Sequence, residues 1–308
     1  MRHALERLAP GKMIICIAML ACAHAHAENL TIKHTQGELT LDAAPHKVLV
    51  LDINALDIID ALGAEPAGVP GSNLPSYLSK YAADSYAKIG SLFEPDYEAI
   101  NAAEPDLVIV GGRSRAKFAE VSQIAPTIDL TIDSEPFTEA LKANIATLGD
   151  IFGREEKAAE LVAALDARVR DLKKAAEGAG TALILVTNAG KVGAYGPNSR
   201  VGWLHKEIGF KPVEADIDDR FHGGDIVSFE YVLEKDPDWL FVVDRDAGVG
   251  NAGNSARATL DNELVARTQA ARNGRTVYLD PQAAYVVSAG YTSVSKLIDE
   301  VEEAVSRK

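Results

Sequence analysis

Little in this sequence can support thiol, redox or nucleic-acid chemistry. Its 308 residues include two cysteines, two tryptophans and three methionines, and aromatic residues make up only 6%. Both cysteines, Cys16 and Cys22, fall within the first 27 residues. A mature chain that begins after them has no disulfide, no thiolate metal site and no cysteine nucleophile. Basic residues are outnumbered, with 31 Lys and Arg against 45 Asp and Glu, for a net charge of −14. Such a surface repels nucleic acid and anionic membranes, and neither is expected as a partner. Beyond residue 22 no apolar run is long enough to cross a bilayer. G-x-S-x-G, H-E-x-x-H and P-loop motifs are absent. With no catalytic constellation in view, the chain is not expected to be an enzyme.

What is present begins with an export signal over residues 1–27. Arg2, Arg7 and Lys12 form a positive region, Met13 to Cys22 an apolar stretch of about ten residues, and Ala25-His26-Ala27 an A-x-A cleavage site before Glu28. Met19-Leu20-Ala21-Cys22 loosely resembles a lipoprotein processing site, in which Cys22 would be lipidated, but the A-x-A site fits better. Cleavage after Ala27 removes Arg2, Arg7, Lys12 and Glu6, and moves the net charge to −16. The product is expected to be soluble and exported. Its acidity makes any cluster of arginines informative, because overall charge does not explain it.

The mature chain reads as α/β, with two Rossmann-like lobes of parallel sheet joined by one long helix and a ligand cleft between them. A hairpin over 29–42, with Gln36-Gly37 as its turn, precedes alternating strands and helices. These are strand 47–52, helix 53–63, a short strand in "PAGVPG", helix 95–103, strand 107–110, helix 115–124 and strand 127–132. Such alternation predicts parallel sheets covered on both faces. Residues 137–177 hold two helical stretches and no strand. The second carries an apolar stripe at Ala158, Leu161, Ala164, Leu165, Val169 and Leu172. Strand 181–187 opens a second α/β unit that includes strand 276–280 and a final helix near 291–306. The expected division is 28–152 for the first lobe, 153–178 for the spanning helix and 179–308 for the second lobe.

One segment occurs twice. "EAINAAEPDLVIVGGR" (98–113) and "EYVLEKDPDWLFVVDR" (230–245) align without a gap, each with Glu at the start, Pro-Asp at +7 and +8, an apolar strand, and Arg at +15. That is the pattern of two similar half-molecules. Ligands of parallel sheets bind at the carboxyl ends of the strands, so Arg113 and Arg245 would converge on a cleft if the lobes face each other. Asp244 and Asp246 flank Arg245, and either could pair with it.

Other candidates have plainer readings beside the functional one. His222 lies in the loop "DDRFHGGDIVSF", before two glycines that permit unusual turns; a lone loop histidine is often incidental. Arg200 follows a Gly-Pro-Asn-Ser turn with Ser199 as a candidate cap, and an arginine at a helix start opposes the dipole. Tyr285 in "DPQAAYVVSAG" could be a core aromatic. His34, His46 and His205 read as surface residues. "GVGNAG" (248–253) matches G-x-G-x-x-G but does not directly follow a strand, so it reads as a loop rather than a dinucleotide site. Glu98 and Glu230 open the repeated segments and could simply be acids in first helical turns.

Together, export, two α/β lobes, a spanning helix, "GSLFEPDYEAINAAEPDLVIVGGR" and "FHGGDIVSFEYVLEKDPDWLFVVDR" resemble the helical-backbone class of periplasmic substrate-binding proteins. Within that class the chain is similar to the branch serving ABC importers of ferric siderophores, especially catecholates. The resemblance covers essentially the whole mature chain. It implies that Arg113, Arg200 and Arg245 line the cleft, that His222 and Tyr285 can ligate the iron of the chelate, and that Glu98 and Glu230 contact the inner-membrane ABC permease. It implies no intrinsic cofactor, the ligand being an Fe(III)–siderophore. Two departures stand out: Arg115 competes with Arg113, and "VVSAG" after Tyr285 is one residue longer than the family spacing. Haem, cobalamin or a hydroxamate siderophore remain as other chelates, and free zinc or manganese as another class of ligand.

Overall fold

The computed structural model describes residues 29–133, 136–217, 223–251, 253 and 255–307. The readings of residues 1–27, including Cys22, and of His222 lie outside them.

β1 (Leu30–His34) and β2 (Gly37–Leu41) form the expected hairpin, with Thr35-Gln36 as the turn, one residue earlier than read. β3 (Val48–Val50), β4 (Gly68–Val69), β5 (Ala87–Lys88), β6 (Leu107–Val110) and β7 (Thr127–Asp129) then make a parallel sheet in the order β5-β4-β3-β6-β7. α1 (Ile53–Ala61) follows β3, capped by Asp52, whose carboxylate accepts the amides of Asn54 and Ala55. α2 (Tyr97–Ala103) precedes β6. The helix expected over 115–124 is shorter, a 3-10 turn at Arg115–Lys117 running into α3 (Phe118–Val121).

α4 (Phe137–Phe152) and α5 (Glu155–Ala175) link the two sheets. They approach closely at Gly149, where a Cβ would collide with that of Ala158. Leu161, Leu165 and Leu172 of the expected stripe are buried in a core cluster that includes residues of both sheets.

The second half contributes β8 (Thr181–Asn188), β9 (Lys191–Tyr195), β10 (Lys211–Pro212), β11 (Asp225–Ile226), α6 (Phe229–Lys235), β12 (Trp239–Asp244) and α7 (Arg245–Gly248). Short helices α8 (Ala256–Thr259), α9 (Glu263–Ala266) and α10 (Gln269–Arg272) lead to β13 (Thr276–Leu279) and α11 (Tyr291–Ser306). The order is β11-β9-β8-β12-β13, with β10 beside the start of β8. β8, β12 and β13 are parallel, whereas β9 pairs antiparallel with both β8 and β11, an edge not expected from the sequence. The cause is local. Ala189 and Gly190 both adopt positive φ (49° and 75°), the geometry of a two-residue hairpin, which forces β9 back alongside β8.

The repeat is physical. Asp96 caps α2 and Ser228 caps α6 at corresponding positions, and Glu104 and Asp236 end those helices in the left-handed region (φ 47° and 37°). Only four described non-glycine residues have positive φ. Two of them occupying matching positions argues for one architecture used twice, since each costs about 1–2 kcal/mol. Asp106 then accepts the amides of His46 and Lys47, and Asp238 accepts that of Thr181. Each aspartate thereby ties the start of its strand to the neighbouring strand.

The halves also meet along a seam. Asp57 of α1 is fully buried and accepts the amides of Thr292 (2.7 Å) and Ser293 (3.2 Å) at the start of α11, with the Tyr77 hydroxyl at 2.6 Å. Asn54 accepts the Ala289 amide, and Gln282 accepts that of Ser76. Residues 282–293 are therefore gripped from the first half. No helix among the described residues is long and apolar enough to cross a membrane.

Candidate functional site

Both repeated strands deliver their arginines to one place. Arg113 leaves the turn after β6, and Arg245 opens α7 immediately after β12. Between them is Tyr285, 6% exposed, in a π-helical turn at Gln282–Val286. The closing bond of that turn runs from the Val287 amide to the Gln282 carbonyl, 2.9 Å. An i→i+5 turn holds one residue more than an α turn.

The carbonyls at the end of this turn have no acceptor role within the helix. They face the arginines instead. Arg113 donates from Nη1 to the Val286 carbonyl (2.9 Å) and from Nη2 to that of Tyr285 (2.8 Å). Arg200 donates from Nη1 to the same Tyr285 carbonyl at 2.7 Å. Arg245 donates from Nε to the Tyr285 hydroxyl and from Nη1 to Asn188 Oδ1, both 2.9 Å. The guanidinium carbons of Arg113, Arg200 and Arg245 lie 6.0, 4.4 and 5.4 Å from the Tyr285 ring centroid, within cation–π range. Tyr285 is thus the hub of a three-arginine cluster.

The flanking aspartates are engaged chiefly with backbone amides. Asp244 accepts the amides of Ala247 and Ala256, and Asp246 accepts the Ala189 amide at 2.6 Å. Asp246 approaches Arg245 only to 3.7 Å. Its main hold is on the strained β8–β9 turn, which in turn sets Asn188 against Arg245. Arg115 is drawn away from the cluster by Asp133 and by Asp129 at 3.5 Å, so Arg113 is the one that faces the cleft. Burial, followed by the proximity of Arg200, pushes the Arg113 pKa down. Burial raises Asp52 to about 6, against opposing pulls from the Asn54 and Ala55 amides and Arg113. It likewise raises Tyr195, the last residue of β9, to about 12.

Arg113, Arg245 and Tyr285 line a cleft of about 580 Å³ with Asn73, Leu74, Leu92, Phe93, Gly248–Asn251, Gln282 and Val286. Its lining combines two cations with an apolar set of Leu74, Leu92, Phe93, Val249 and Val286. Arg200 lines a smaller neighbouring cavity of about 260 Å³ with Asn54, Ser199 and Trp203. Arg113, Arg200, Arg245 and Tyr285 are thus brought together. His222 is outside the described residues. Glu98 and Glu230 are exposed in the first turns of α2 and α6, away from the cleft lining.

Sequence reasoning missed several groups in or beside the site. The "GVGNAG" segment, read as a loop, begins on the last residue of α7 and lines the cleft through Gly248–Asn251. Asn188 and Tyr195 sit at the unanticipated β8–β9 edge, and Phe93 stands beside the motif "EPDYEAI" with no signal of its own. His205, read as a surface residue, is buried, with Nδ1 2.9 Å from the Phe210 carbonyl. Ser199 does not act as a cap; its hydroxyl is buried without a partner. Among the described residues no group of three or more His, Cys, Asp or Glu is placed to hold a metal ion.

This geometry can be set beside known proteins. The chain is 36% identical over 285 residues to the petrobactin-binding protein YclQ of Bacillus subtilis, covering 91% of this chain and 89% of that one. It is 31% identical over 278 residues to the ferric-anguibactin-binding protein FatB of Vibrio anguillarum, covering 88% and 86%. The crystal structure of the periplasmic catecholate-siderophore binding protein VctP of Vibrio cholerae superposes with a TM-score of 0.84 at 34% identity, covering 90% and 100%. The family described as "Periplasmic binding protein" matches residues 48–283, and the chain belongs to that family.

Proposed function

We propose that this protein is a periplasmic solute-binding receptor, not an enzyme, that captures a ferric siderophore of the catecholate type and delivers it to an inner-membrane ABC importer. The carrying observation is the cluster of three guanidiniums around Tyr285, held mainly through carbonyl, amide and hydroxyl oxygens in a cleft between two sheets. Like charges packed this closely favour an anionic guest. A ferric catecholate is an anion with planar aromatic rings. Guanidinium is permanently charged, donates in a fixed fork and stacks on aromatic faces, so it can replace the water such an anion loses on burial. The siderophores named for YclQ, FatB and VctP support the same ligand class.

In this reading Arg113, Arg200 and Arg245 bind the anion. Where the siderophore supplies only four oxygens, His222 and Tyr285 complete the coordination of the cargo iron with imidazole and phenolate. Glu98 and Glu230, exposed at matching places of the two halves, pair with basic residues of the permease. The receptor works as a monomer.

Titration with ferric catecholates, ferric hydroxamates, haem and cobalamin, followed by tryptophan fluorescence, tests this. Trp203 lies three residues from Arg200, whereas Trp239 is bonded to the Ala179 carbonyl in the core. Saturable quenching by a ferric catecholate is expected. Its absence with every ferric catecholate would refute the reading.

A further inference from the structure

Phe93 is one of three large hydrophobic residues standing exposed among the described residues, 52% open to solvent. It is not on a loose loop. The Ser91 amide donates to the Glu94 carbonyl at 2.8 Å, and the Ser91 hydroxyl accepts the amides of Phe93 (3.2 Å) and Glu94 (3.0 Å). Gly90 adopts φ 110°, and a Cβ there would strike the Glu94 carbonyl. Lys117 pairs with Glu94 at 2.9 Å. The turn is thus fixed on both sides of an exposed phenyl ring.

That ring faces the cleft. Phe93 lines it together with Leu74, Leu92, Val249, Arg113 and Arg245, and the Arg113 guanidinium lies 5.9 Å from the Phe93 ring centroid.

Resting on the function proposed above, we propose that Phe93 is a specificity-determining residue, an aromatic wall that stacks on a planar aryl ring of the ligand while Arg113 holds its anionic oxygens. An exposed phenyl standing next to a guanidinium offers an apolar aromatic face beside a cation, which suits a flat anionic ring. A chelate of aliphatic carboxylates offers no face to the phenyl. Offset or edge-to-face stacking adds to simple burial of area, so the aromatic ring matters beyond its apolar surface.

The test uses the full mature chain and ferric 2,3-dihydroxybenzoate complexes, read by fluorescence titration. Phe93→Ala is expected to bind about tenfold more weakly, about 1.4 kcal/mol. Phe93→Leu should fall between, Phe93→Tyr should match wild type, and all three should keep the wild-type unfolding temperature because the ring is exposed. Phe93→Ala within twofold of wild type would overturn the proposal, as would Phe93→Leu equal to Phe93→Tyr. Both are distinct from failure of the functional reading, in which wild-type protein itself would bind no ferric catecholate.

Discussion

Arg113 and Arg115 offer a controlled comparison, because two arginines one residue apart have opposite surroundings. Arg113 reaches across to the Tyr285 and Val286 carbonyls and lines the cleft. Arg115 is paired with Asp129 and Asp133 of its own half. Arg113→Ala removes one of three cations around the guest. At an effective dielectric of about 20, a charge pair near 4 Å is worth about 4 kcal/mol. Part of that is lost to the cost of desolvating a buried ion, leaving about 2–3 kcal/mol, or a 30- to 150-fold loss of affinity. Stability should change much less. The Tyr285 carbonyl keeps Arg200, so one carbonyl loses its donor, at about 1–3 kcal/mol, while repulsion between Arg113 and Arg200 disappears. Arg113→Lys should recover little, since an ammonium cannot fork across two carbonyls. Arg115→Ala should leave affinity unchanged. Titrations at two salt concentrations complete the assay, with Arg113→Ala expected to show the weaker salt dependence. Equal losses for the two alanine variants, or an Arg113→Ala affinity within threefold of wild type, would refute the reasoning.

His222→Ala is expected to weaken tetradentate ferric catecholates much more than hexadentate ones, measured by the same titration; equal losses would mean that the imidazole does not reach the iron. Glu98→Ala and Glu230→Ala together should leave ferric-catecholate affinity intact while iron uptake through the importer falls, so unchanged uptake would remove them from the permease contact. Asp57 should make stability depend on pH. Burial raises its folded pKa to about 6, above the unfolded value, so its contribution is full below about pH 4 and is lost as pH rises through about 6. Relative to Asp57→Asn, wild-type protein should therefore gain up to about 3 kcal/mol between pH 7 and pH 4, at about 1.4 kcal/mol per pKa unit. A flat difference in chemical unfolding across that range would contradict the assignment.

The parts of this fold that the sequence revealed are those set by periodicity and by short-range backbone chemistry. Strand 107–110 and helices 137–152 and 291–306 fall where their patterns end. The gapless alignment of 98–113 with 230–245 carried more than strand positions. It anticipated that Arg113 and Arg245 would occupy equivalent strand ends, because equal spacing from Pro-Asp to Arg fixes equal geometry. The antiparallel edge was not readable. Its turn uses Ala189 at positive φ, where Asn-Gly or Asp-Gly would have announced a hairpin; Asp246, 57 residues away, holds that turn through the Ala189 amide. His205 was misread for a related reason, since its Nδ1 is matched to the Phe210 carbonyl beyond the end of its own turn.

The same distinction explains why the sequence placed two arginines well and left Tyr285 the weakest assignment. Arg113 and Arg245 are positioned by strands. Tyr285 is positioned by a π turn, whose one-residue excess over an α turn has no signal in a linear reading. In three dimensions that excess matters. It ends the turn with the Tyr285 and Val286 carbonyls turned toward Arg113 and Arg200, and leaves the phenol hydroxyl for Arg245. One backbone irregularity thus supplies acceptors that let three like charges gather around Tyr285. Removing a residue from 286–289 would restore α spacing and should scatter the arginines while sparing both sheets. The expected result is lost ferric-catecholate binding with native far-UV circular dichroism; retained affinity would show that the turn is incidental.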